Sequence, residues 1–192
     1  MDRLINDSRE LYLKNHNLVD KILVWRGDAS VVNQAIRNNN VSKLKYWGHW
    51  IVCFQEFDRI IAQIETTEQL IVNRGVNEDI YAHLNVGDIV ETITYTSTSD
   101  PNVDPLYDKS GSFGSYHLKI TLPPKTHCFY YSVIDEDDEY FSEYEIILPP
   151  GRMTYNGCVQ GVYHLTWIDH QPIIPLLQRK NLIGQDIERE LL

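Results

Sequence analysis

The hydrophobic pattern of this chain changes period at Gln69, and that change constrains the fold more than any other feature. Between Lys43 and Ile64, the residues Leu44, Trp47, Ile51, Phe54, Phe57, Ile60 and Ile61 recur at spacings of three and four. That spacing lines them up on one face of a helix, where an aromatic stripe is core. Val31, Val32, Ala35 and Ile36 follow the same rule behind a cap at Asp28 or Ser30, and Asn38-Asn39-Asn40 separates the two helices. Beyond Gln69 the chain turns to short β-branched runs divided by turn residues. These predict strands over Leu70 to Arg74, Ile89 to Ser97, Tyr116 to Leu122, Cys128 to Val133, Tyr144 to Leu148 and Val162 to Ile168. Pro123-Pro124 and Pro149-Pro150-Gly151 are expected to end the strands they follow. Asn77 to Leu84 reads as a short helical piece, Asp100 to Ser115 as a loop, and Gln178 to Leu192 as an amphipathic tail helix. The expected class is α+β, with a helical segment (residues 1–66) packed on a β-rich core (residues 67–192) in a single domain, the sheet largely antiparallel.

Composition removes several function classes. A net charge of −10 over 192 residues disfavours a general nucleic-acid binder and an anionic-membrane binder, and suits a basic partner. Cys53, Cys128 and Cys158 are too far apart for a C-x-x-C pattern, so neither a disulfide framework nor a zinc site is expected. The seven histidines show no metal-ligand spacing, and no Gly-rich phosphate loop is present. Met1 to Lys14 is polar and charged without an apolar stretch, so a cytoplasmic, monomeric protein without a membrane span is expected.

Glu143-Tyr144-Glu145 runs directly into the apolar Ile146-Ile147-Leu148. Residues two apart on a strand share a face, so the two carboxylates stand side by side. Like charges at the mouth of a buried strand repel and lose hydration unless something cationic arrives between them. A site that stabilises a developing positive charge is the natural use of such a pair.

Three pieces stand in order along the chain: Asn73-Arg74-Gly75, Tyr95-Thr96-Ser97-Thr98-Ser99 and Glu143-Tyr144-Glu145. Together with the Gly87-Asp88-Ile89-Val90 lead-in and the Leu-Pro-Pro-Gly stop, they resemble the Arg–Ser–Glu class of mono-ADP-ribosyltransferases. That class includes bacterial toxins and effectors, phage enzymes and vertebrate ecto-transferases. The resemblance extends from Val31 to the C-terminus. It implies a split β-sandwich around an NAD cleft, with NAD as co-substrate, no metal, and a protein bearing an accessible arginine as partner.

The roles it implies agree with the chemistry of the side chains. Arg74 would grip an NAD phosphate or ribose hydroxyl through its planar fork of donors. The backbone of Gly75, unscreened by a side chain, would meet the nicotinamide amide. Ser97 and Thr98 would hold the catalytic Glu145 by donating to its carboxylate without neutralising it. Glu145 would stabilise the ribosyl cation formed as nicotinamide leaves. Glu143 would orient and deprotonate an acceptor guanidinium, and family members with Glu at that position generally modify arginine. Tyr140 would contact the target protein, with Phe141 as a neighbouring competitor for that role. The acidic run Asp135 to Glu139 reads as a solvated loop or as an attractor for a basic surface. Lys109, Tyr107 and Phe113 are candidates for further NAD contacts, and Arg26-Gly27 is an alternative to Arg74-Gly75. Competing readings are an NAD glycohydrolase using the same site, and a non-catalytic interaction module that keeps the fold.

Overall fold

The computed structural model describes residues 1–15, 31–76, 81–100, 116–134 and 144–183. Among these, α1 (Asp2–Lys14), the helical residues 31–37 (α2) and α3 (Trp47–Ile61) precede the sheet, and α4 (Ile173–Arg179) follows it. Asn39 adopts a left-handed φ of 53° where α2 ends, which is the break anticipated from the asparagine run. The stripe on α3 is the buried one: Trp50, Ile51, Phe54, Phe57, Ile60 and Ile61 all face the core. Helices and sheet share one continuous apolar cluster.

The strands are β1 (Leu70–Val76), β2 (Ile89–Thr92), β3 (Thr96–Ser99), β4 (Tyr116–Leu122), β5 (Phe129–Tyr130), β6 (Glu145–Leu148), β7 (Gly151–Val159) and β8 (Val162–His170). They hydrogen-bond in the order β2-β7-β8-β4-β1-β3-β6-β5, and every pairing is antiparallel except β4 with β8. The α+β class is therefore observed, with a mixed sheet. Among the described residues, its long-ladder part, β2-β7-β8-β4-β1, is joined to the shorter part, β3-β6-β5, through a single residue pair, Asn73 with Ser99. The sheet is split at that point.

Four expectations need correction. The run Ile89 to Ser97 is two strands, because the chain leaves the ladder at Ile93 and Thr94. There Tyr95 turns its ring into the core against Phe54 and Phe57, and its hydroxyl donates to Asp58 Oδ1 at 2.6 Å. Asp58 Oδ2 also accepts the Ile173 N–H at 2.7 Å, so this one carboxylate ties α3, the lead-in to β3 and the start of α4 together. Secondly, Cys128 to Val133 is only a two-residue strand, followed by the 3-10 turn Tyr131–Val133.

Thirdly, β7 was missed. Pro149-Pro150 ends β6 as expected, yet Gly151 starts a nine-residue strand on the other part of the sheet. Gly151 is required there because a Cβ would collide with the Trp167 ring and the Asp169 carbonyl. β7 then reverses into β8 through Gln160 (φ 52°) and Gly161 (φ 78°), the two consecutive positive-φ residues of a tight hairpin. Fourthly, residues 81–84 of the expected piece Asn77 to Leu84 form a turn rather than a helix, residues 77–80 lying outside the described residues. Of the expected tail helix, only Gln178 and Arg179 are helical, as the end of α4, and residues 184–192 lie outside the described residues. No helix among the described residues is long and apolar enough to cross a membrane.

Candidate active site

Register decides which side chains of the three motifs meet. β3 and β6 pair Thr96 with Leu148, Ser97 with Ile147, Thr98 with Ile146 and Ser99 with Glu145. Directly opposed residues share a face and alternate along the strand. Ser97, Ser99 and Glu145 therefore stand on one side of this part of the sheet, with Ser99 opposite the carboxylate and Ser97 diagonal to it. Thr98 is on the other side, buried, its hydroxyl donating to the Ile146 carbonyl at 2.7 Å. The hydroxyl nearest to Glu145 in the register is thus that of Ser99, a residue not singled out from the sequence.

Glu145 itself is 7 % exposed. Its backbone N–H donates to Ser132 Oγ at 2.9 Å, and the preceding carbonyl, that of Tyr144, accepts the Asp100 N–H at 3.1 Å. Tyr144 holds a left-handed φ of 44°, a conformation that costs a non-glycine residue about 1 kcal/mol. The turn into β6 is in this way pinned on both sides of the residue that carries the carboxylate, while the Tyr144 ring stays 41 % exposed.

Arg74 lies inside β1, which continues to Val76, two residues beyond the expected end. Its Nη1 donates to the Ser97 carbonyl at 2.5 Å, a side-chain bond from β1 to β3. Burial pulls its pKa down, Tyr81 and Glu145 draw it back up, and Arg37 pushes it down. Arg74 is half-buried. Tyr81, 5 % exposed and packed on the ring of Tyr163 at 5.6 Å, has its pKa raised by burial and lowered by the same two arginines. Gly75 is half-buried beside them, in register with His117 of β4.

Two further residues were missed by sequence reasoning. Arg37 is exposed on α2, near enough to Arg74 for the two charges to repel, and its Nε donates to the Asn33 carbonyl at 3.2 Å. Asn33, one turn earlier, is 9 % exposed; its Nδ2 donates to the Tyr95 carbonyl at 3.4 Å, and its Oδ1 has no hydrogen-bond partner among the described residues. A buried amide oxygen left unsatisfied costs about 1–3 kcal/mol, so it is an acceptor waiting for a donor. The available signal was a polar residue on the buried stripe of Val32 and Ile36 with an arginine four residues on.

Glu143, Tyr140, Phe141, the acidic run Asp135 to Glu139, Lys109, Tyr107, Phe113 and the Arg26-Gly27 alternative all lie outside the described residues. Among the described residues, no group of His, Cys, Asp or Glu is placed to hold a metal ion. Cys53 and Cys128 are buried and Cys158 is exposed, all three as free thiols.

No protein-family model matches the sequence, and no curated protein matches it by sequence. Solved structures do match by fold. Plx2a, an ADP-ribosyltransferase toxin from Paenibacillus larvae, superposes with a TM-score of 0.63 at 14% identity, over 88% of this chain and 96% of that one. The chain has the ADP-ribosyltransferase fold. The Clostridium limosum C3 exoenzyme gives a TM-score of 0.60 at 15% identity, over 86% of this chain and 95% of that one. C3stau2 from S. aureus, solved with NAD, gives 0.58 at 16% identity, over 79% and 87%. Within the ADP-ribosyltransferase fold, the single-pair split between β1 and β3 is where the serine strand, Arg74 and the buried glutamate come together.

Proposed function

We propose that this protein is a mono-ADP-ribosyltransferase that cleaves NAD and transfers its ADP-ribose to arginine side chains of a protein. The observation that carries this reading is a buried carboxylate, Glu145, opposed by a serine and lying near Arg74, whose guanidinium also neighbours that of Arg37. A dinucleotide fits these residues. Two adjacent cations suit a diphosphate. The orphaned Asn33 Oδ1 suits a hydroxyl or exocyclic amine of the same ligand.

The chemistry follows from charge. The bond from ribose C1′ to the nicotinamide nitrogen breaks with its electron pair leaving on the nitrogen, so nicotinamide departs neutral and needs no acid. Positive charge is left on the ribosyl ring. Glu145 accepts the ribose 2′-hydroxyl and faces that charge, an interaction that strengthens only as the bond breaks. Its burial makes the effect large, because little water competes. Ser97 would orient the carboxylate by donating to it, Ser99 would steady the strand opposite it through its own bond to the Asn73 carbonyl, and the backbone of Gly75 would receive the nicotinamide amide. The acceptor guanidinium is permanently protonated and a poor nucleophile. Glu143, two residues before Glu145, would take its proton as nitrogen bonds to C1′. Tyr140, on the same segment, would touch the target surface, and the Tyr144 ring supplies further exposed aromatic surface beside the site.

Nicotinamide release from NAD, with and without a small guanidino acceptor, tests the reading. Wild type should be stimulated by the acceptor. Glu145→Gln, which keeps shape and removes charge, should lose on the order of a hundredfold or more in rate. Glu143→Gln should retain hydrolysis and lose transfer. A wild type that releases nicotinamide without responding to the acceptor would point to an NAD glycohydrolase, and release indifferent to Glu145→Gln would remove the site assignment.

A further inference from the structure

Asn73 is an unusual residue for its position. It stands in an apolar strand after Ile71 and Val72, is 4 % exposed, and is the β1 residue paired to β3 across the split. Its side chain is engaged at both ends. Asn73 Oδ1 accepts His117 Nε2 from β4 at 3.1 Å, and Asn73 Nδ2 donates to the Asp100 carbonyl at 3.5 Å, just past the end of β3. Its own carbonyl accepts Ser99 Oγ at 3.4 Å. Three strands are therefore tied through one side chain and one peptide group.

We infer that Asn73 and His117 form a polar clamp that positions Glu145 for the reaction, holding the short part of the sheet against the long one. The inference rests on the reading of Glu145 as the group that stabilises the ribosyl cation. Two routes lead from Asn73 to it. One passes through Ser99, which lies opposite Glu145 in the register. The other passes through Asp100, whose N–H donates to the carbonyl of Tyr144, the residue immediately before Glu145. Among the described residues one pair joins β1 to β3, so backbone pairing contributes little to the angle between the two parts. Side-chain bonds then act with the packing of the core to set the angle. A displacement of about 1 Å at a reacting group can cost on the order of a hundredfold in rate. For stability alone an apolar side chain would serve as well at this buried position, because a buried polar group adds little net free energy even when satisfied. What a satisfied buried amide adds is a defined geometry. Asn73 and His117 are positioning residues in this scheme, acting through Ser99 and Asp100.

The test compares wild type with Asn73→Leu, His117→Phe and His117→Gln, reading kcat and KM for nicotinamide release, NAD affinity by calorimetry, and Tm. Gln at 117 retains an N–H for the Asn73 oxygen, whereas Phe does not. Asn73→Leu and His117→Phe should lower kcat by about tenfold or more with KM and NAD affinity within about twofold of wild type. His117→Gln should recover most of kcat. Should Asn73→Leu fail to fold, the two His117 variants decide. Unchanged kcat in an otherwise active protein overturns the clamp alone. So does a loss shared by kcat, affinity and Tm with His117→Gln no better than His117→Phe, since that is a merely structural role. A wild type that does not cleave NAD removes the Glu145 reading and the clamp with it.

Discussion

Among the described residues, seven pairs join β1 to β4, whereas one pair joins β1 to β3. On the first side of the split the strands run seven to nine residues in β1, β4, β7 and β8, and long cross-strand ladders join them. On the second side β3 and β6 have four residues each and β5 has two. That short part carries Ser97, Ser99 and Glu145, and it is fastened by bonds from side chains to backbone: Arg74 to Ser97, Asn73 to Asp100, Ser99 to Asn73, and Glu145 to Ser132. The contrast teaches that the long ladders supply stability and the short strands supply geometry. A ladder bond is tolerant of side-chain identity, because backbone groups make it. A side-chain bond fixes one arrangement and fails when its residue changes.

The sharpest way to break the comparison is a cavity in the long part. Leu165 is fully buried on β8, and Leu165→Ala should lower unfolding free energy by about 2–5 kcal/mol in urea titrations. At a temperature well below melting, kcat for nicotinamide release should nonetheless match wild type. If kcat falls with stability, the two parts are not separable in this way. A smaller effect is expected at the exposed cation beside Arg74. Arg37→Ala should raise KM for NAD by about tenfold, a loss typical of one charge-assisted phosphate contact, with Tm unchanged. An unchanged KM would leave Arg74 as the cation that matters.

The smallest effect sharpens the contrast by pH. On the rim of the long part, Arg152 and Asp169 form a partly exposed ion pair, and hydrogen bonding from Arg152 holds the Asp169 carboxyl below its ordinary range. A depressed folded pKa stabilises the protein above the unfolded carboxylate value, and the gain disappears as pH falls through the folded one. Asp169→Asn should therefore lower Tm by at most about 2 °C near neutral pH, since exposed pairs contribute little. The difference should vanish in acid below the usual carboxylate range, and NAD cleavage should be unaffected at either pH. A Tm gap that persisted there would mean packing, not charge, is lost.

Some of this was present in local sequence and some was not, for a physical reason. The stripe on α3, the asparagine stop after α2 and the strand Tyr116–Leu122 follow from spacings of three, four and two, which depend on neighbours within a few residues. The order of Arg74, the serine motif and Glu145 was equally legible, because chemistry-bearing residues can be read without knowing what they touch. β7 was hidden because Gly151, Asn156 and Gly157 dilute its alternation, and its place in the sheet is set by β2 and β8. Which of Ser97, Thr98 and Ser99 opposes the carboxylate depends on pairing β3 to β6, where a shift of one residue would reverse every face. Asn33, Arg37, Asn73 and His117 gain their meaning from contacts made 26 to 62 residues away or from a neighbouring helix. The amino-acid sequence determined the elements and the reactive groups they carry. Which of those groups meet across the split sheet follows from register and docking, and these are set by the whole buried core and not by any one segment of it.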